Sequence, residues 1–61
     1  MPSIYGSFCS ELAMCVINKD MDRYDEIYAL ARKSCPEHFN SKAKVKYESD
    51  VFNIILNKIE A

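Results

Sequence analysis

The stretch NSKAKVKYESDVFNIILNKIEA, residues 40–61, decides the fold predicted for this chain of 61 residues. With about 100° between successive residues of a helix, its apolar side chains cover more than half of the helix surface. They form two neighbouring stripes, one made of Phe52, Ile55, Leu56 and Ile59, the other of Tyr47, Val51 and Ile54. Such a helix needs two packing partners, and the rest of the chain is short. We therefore predict that it binds a second copy of itself or another protein.

The surface predicted for self-association consists of five apolar residues of this helix: Val51, Phe52, Ile55, Leu56 and Ile59. A chain of this size buries only about 60% of its extended-chain surface, so its core is marginally stable without reinforcement. Burying a large apolar side chain contributes about 1.5 to 3 kcal/mol. A homodimer built on these residues would therefore supply a large share of the stability, in an orientation that the sequence leaves open.

The composition is that of a globular protein with a single domain over residues 1–61. Hydrophobic residues make up 49% and charged residues 28% of the chain, which argues against disorder. A net charge of -1 gives no positive field for coating nucleic acid. There is no apolar run long enough to cross a membrane and no signal-peptide pattern, and three cysteines are an odd number that fits a reducing compartment. We expect a cytoplasmic protein without membrane contact.

Helices are the natural interpretation of the whole chain, because it contains one glycine and two prolines. A first helix is predicted at about residues 4–18, with Ser3 or Ser7 as its N-cap. Apolar side chains recur along it at helical spacing. The predicted inward stripe consists of Ile4, Phe8, Leu12 and Cys15.

A second helix is predicted from a cap at Asp20 or Asp22 to about Ser34, because Pro36 disfavours helical backbone in the residue before it. Its inward face would hold Met21, Tyr24, Ile27, Tyr28, Ala31 and Cys35. Ser41 is the predicted cap of the third helix. Short connectors place consecutive helices side by side in opposite directions. The predicted fold class is therefore all-α, an antiparallel helical hairpin followed by a longer third helix.

A zinc site is one alternative that the sequence leaves open. Cys35 and His38 are three positions apart, and Cys9 and Cys15 would complete a set of three cysteines and one histidine. Cys9 and Cys15, however, lie about 240° apart around a helix, so both face one metal only if that helix is broken. The same residues offer no orienting group or oxyanion-hole loop for a Cys–His nucleophile. We expect no cofactor and no enzymatic activity.

Three lysines crowd the start of the predicted third helix, where the helix dipole disfavours cations. They are Lys42, Lys44 and Lys46. One interpretation is that acidic residues four positions further on offset them, Glu48 for Lys44 and Asp50 for Lys46. The other is that the lysines and the free amides of the helix start receive an anion, a phosphate backbone or an acidic partner. The first interpretation is favoured.

The opening segment PSIYGSFCSELAMC, residues 2–15, and the chain as a whole resemble the small early proteins from the exo-xis region of lambdoid bacteriophages. This resemblance implies an accessory protein expressed early in phage development. Such a protein would act in the host cytoplasm on the choice between lysis and lysogeny or on control of the host cell cycle. The resemblance transfers no functional residues.

The function predicted from these features is that of a small non-catalytic regulatory protein that acts by protein–protein interaction. Its expected partners are a second copy of the chain and a host protein. Nucleic-acid or anion binding through the lysines is the first alternative, and a zinc-stabilised module is the second.

Overall fold

The computed structural model describes residues 3–60, which form three α-helices joined by short connections. Helix α1 spans Ile4–Ile17, α2 spans Met21–Ser34, and α3 spans Lys44–Glu60 after a single 3-10 turn at Ser41–Ala43. No strand occurs within residues 3–60. The all-α class predicted from the sequence is confirmed, and both predicted hairpin helices begin and end within about one residue of their expected positions.

Helix α1 begins and ends with hydrogen bonds that satisfy its free backbone groups. The Ser3 hydroxyl accepts the amide of Gly6 at 3.0 Å, so Ser3 is the cap of the two predicted candidates. At the other end Lys19 adopts a left-handed φ of 59°. Its amide donates to the Val16 carbonyl at 3.1 Å, and the Asp20 amide donates to the Cys15 carbonyl at 2.9 Å. These two bonds form a Schellman motif, which turns the chain back sharply towards α2.

Helix α2 begins at a side-chain cap and ends before a proline, as predicted. Asp20 caps the helix by accepting the amide of Arg23 at 3.1 Å. Cys35 leaves the helical region with φ -134° and ψ 65°, because the ring of Pro36 disfavours helical backbone before it. Only residues 18–20 separate α1 from α2, and the two helices run antiparallel.

The start of the third helix differs from the prediction, because Asn40 rather than Ser41 provides the cap. The Asn40 side-chain oxygen accepts the amide of Ala43 at 2.9 Å, and its side-chain nitrogen donates to the Pro36 carbonyl at 2.8 Å. Asparagine can do both because its side-chain amide carries a donor nitrogen and an acceptor oxygen. Asn40 thus ties the connector after α2 to the start of α3.

Helix α1 lies at the centre of the molecule and packs along both other helices. Its first turn is beside the connector that follows α2, since the Tyr5 ring lies 4.9 Å from the His38 ring and 5.4 Å from the Phe39 ring. Helices α2 and α3 meet through side chains, with the rings of Tyr28 and Tyr47 5.5 Å apart. The hairpin and α3 therefore share one core rather than forming separate units.

The centre of that core is Phe39, which lies in the connector and is fully buried. Its ring is 5.3 to 6.5 Å from the rings of Tyr5, Phe8, Tyr28 and Tyr47. A backbone hydrogen bond of 3.0 Å from the Phe39 amide to the Cys35 carbonyl closes one turn of the connector after α2 has ended. The sequence pattern indicated only a connector at this segment, so it did not predict the central core residue.

The remaining core agrees with most of the predicted inward positions. The buried residues are Cys9, Leu12, Ala13, Cys15, Ile27, Ala31, Cys35, Phe39, Tyr47 and Val51. Two predicted inward residues, Ile4 and Met21, are instead exposed. Both stand at the first position of a helix, where no neighbouring element covers them.

Candidate functional site

Helix α3 carries a row of exposed apolar side chains on the face that points away from the core. We call this row the outer stripe and define it as Val45, Phe52, Leu56 and Ile59. These positions are separated by seven, four and three residues, so they fall within about 60° of one another around the helix. Their exposed fractions are 82%, 49%, 40% and 69% in the same order. With fully exposed large apolar residues at about 150–200 Å² each, the stripe leaves roughly 400 Å² of apolar surface, the size of patch that often marks an interaction site.

The two stripes predicted for this helix are both present, but they have different roles. Tyr47 and Val51 are buried against α1 and α2, and Ile54 is partly buried beside them. Phe52, Leu56 and Ile59 are exposed. One apolar face of α3 is therefore used within the chain, and the other has no covering element in the part of the chain that the structure describes.

Two of the five residues predicted for the interface lie in or beside the core of their own chain. Val51 is only 4% exposed and belongs to the core of its own chain, and Ile55 is partly buried at the edge of that core. Val45, which was not in the predicted interface, is the most exposed residue of the outer stripe. Its position seven residues before Phe52 was the signal that could have identified it.

The orientation of α3 is fixed by a polar cluster of Tyr5, Lys46 and Asp50. The Tyr5 hydroxyl donates a hydrogen bond to the Asp50 carboxylate, and the Lys46 ammonium donates to the same oxygen at 3.2 Å. The ammonium also lies 5.9 Å from the centre of the Tyr5 ring. The hydrogen bond from Tyr5 and that from Lys46 hold the pKa of Asp50 below its ordinary value. This cluster joins α3 to α1 on the side opposite the outer stripe, so the stripe is held facing outward.

Two acidic residues border the outer stripe. By helical geometry, Glu48 lies beside one edge and Glu60 beside the other. Both side chains are exposed. Each edge therefore carries one negative charge. An apolar centre with a charged rim is the usual anatomy of a protein interface.

The three lysines proposed as an anion site lie on the surface at the start of α3. Lys42 is in the 3-10 turn, Lys44 begins the helix, and all three side chains are exposed. The predicted pair of Lys46 with Asp50 is confirmed at 3.2 Å. Within residues 3–60, Lys44 and Glu48 form no ion pair closer than 4.0 Å. The Ala43 amide is already bonded to Asn40, so one donor of the suggested anion site is occupied by the chain itself.

The residues of the zinc alternative do not converge. Cys9, Cys15 and Cys35 are buried free thiols, and His38 is exposed beside Tyr5. Among residues 3–60, no group of three or more histidine, cysteine, aspartate or glutamate side chains is arranged to hold a metal ion. Burial raises the pKa of the Cys9 thiol, which disfavours the thiolate that binds zinc. The structure gives this alternative no support.

A groove of about 280 Å³ lies between α1 and α2 near their connection. Its lining consists of Ser10, Glu11, Met14, Cys15, Asn18, Asp20, Arg23 and Ile27. The one basic side chain of the lining, Arg23, is tied to Glu26 by an ion pair of 3.1 Å. No histidine is present in the lining to act as a base for the serine or the cysteine. The groove therefore offers a small mixed surface without a recognisable catalytic pair.

Every helix within residues 3–60 is too short or too polar to cross a lipid bilayer. Comparison of the chain with protein-family models, curated proteins and solved structures finds no match.

Proposed function

We propose that this chain is a non-catalytic regulatory protein that acts by binding another protein surface through the outer stripe of α3. The observation that carries the proposal is that the core is fully buried without any contribution from the outer stripe. Phe39, Leu12 and Cys9 are fully enclosed, whereas four large apolar side chains on one helix face remain in contact with water. Exposing them costs solubility without stabilising the fold, which favours a role in binding.

Phe52 is the expected centre of the binding surface. It lies near the middle of the stripe, and aromatic residues contribute strongly to binding when they are enclosed at the centre of an interface. The polar cluster on the opposite side keeps α3 in place before a partner arrives. A surface that is already ordered loses less conformational entropy on binding, which favours affinity.

The proposed biological setting comes from the resemblance to small early proteins of lambdoid bacteriophages. In that setting the protein acts in the cytoplasm of the host cell, on the choice between lysis and lysogeny or on the host cell cycle. A host protein is the partner expected there. The helix-in-groove mode of recognition, in which apolar residues at spacings of three, four and seven enter a partner's groove, fits the outer stripe.

A second candidate function is binding of nucleic acid or another anion through Lys42, Lys44 and Lys46. The favouring observation is that residues 42–46 present three exposed positive charges and no acidic side chain. A salt-dependent mobility shift would test it, because the affinity falls more steeply with salt concentration as more phosphates are neutralised by lysines. Changing the three lysines to glutamine should abolish such a shift, and changes in the outer stripe should have no effect on it.

The main proposal is tested by Phe52→Asp, with Leu30→Asp as a matched control. Both side chains are about half exposed, at 49% and 51%, but Leu30 lies on α2 and outside the outer stripe. We expect Phe52→Asp to abolish binding of this chain to its partner protein, measured by pull-down and light scattering. Leu30→Asp should retain that binding. Circular dichroism should show that both variants are folded. Equal association of the wild type and Phe52→Asp would overturn the proposal, as would a selective loss in Leu30→Asp.

A further inference from the structure

We draw no further inference here: the strongest candidate, the exposed apolar face of α3 formed by the outer stripe, carries nothing beyond the proposed function, because nothing in the part of the chain that the structure describes shows what covers it.

Discussion

Replacing Phe39 by alanine should remove much of the stability of the fold. The side chain is fully buried, and four aromatic rings lie within 6.5 Å of its own. Phenylalanine-to-alanine changes in protein cores cost about 3 to 5 kcal/mol. At about 0.05 to 0.15 kcal/mol per residue, a chain of this length has only about 3 to 9 kcal/mol in total. The variant should therefore be close to unfolding at room temperature.

The measurement is thermal unfolding followed by circular dichroism, at a protein concentration low enough to avoid self-association. At about 4 °C or more per kcal/mol, the midpoint should fall by about 12 °C or more. Phe52→Ala makes the same chemical change at a half-exposed position and should cost less than about 1.5 kcal/mol. Equal losses in the two variants would refute the view that Phe39 is the centre of the core.

Three further predictions concern individual hydrogen bonds and one backbone angle. Tyr5→Phe removes one of the two hydrogen-bond donors to Asp50, the one that lowers its pKa most, so the pKa of Asp50 should rise towards its ordinary value in an NMR titration. Because folding lowers this pKa, its stabilisation is present above the ordinary aspartate range and is lost as the pH falls through the folded-state pKa. The unfolding midpoints of Tyr5→Phe and wild type in urea should thus differ at neutral pH and converge in acid, and a gap that persists in acid would contradict this reasoning. Asn40→Ala should cost about 1 kcal/mol as a lost helix cap, and Ser41→Ala should cost clearly less; the reverse order in urea unfolding would show that the cap is misassigned. Lys19→Gly should stabilise the chain by up to about 1 kcal/mol, because glycine adopts the left-handed φ of 59° without strain, and a lower thermal midpoint would count against that explanation.

The helices were predictable because their signals are local. A serine or aspartate cap, a proline stop and apolar spacing of three and four residues lie within each segment, and together they located α1 and α2 closely. The cap of α3 was less clear, because Asn40 and Ser41 are adjacent residues with similar capping preference. The choice depends on the hydrogen bond between Asn40 and Pro36, which only the folded connector provides.

The sequence predicted the helix that carries the candidate site, but not which of its side chains are exposed. Helical spacing showed that α3 has two apolar stripes, yet periodicity does not reveal which stripe the rest of the chain covers. That choice is made by contacts distant in sequence, such as the hydrogen bond between Tyr5 and Asp50, 45 positions apart. Val51 was therefore assigned to the interface although it is buried, and Val45 was left out although it is exposed.

The position of Phe39 in a connector has a consequence for how the chain folds. An isolated α1–α2 hairpin would lack the ring around which its own aromatic residues pack, and an isolated α3 would lack a surface for Tyr47. We therefore expect neither part to be stable alone, and folding to be a single all-or-none transition. The connector length is under the same constraint, because Phe39 is placed by the turn that begins at Cys35, and we expect one residue inserted between Pro36 and Phe39 to displace the ring from the core. Variation in this protein should therefore be tolerated on its helix surfaces more readily than in the loop that joins its last two helices.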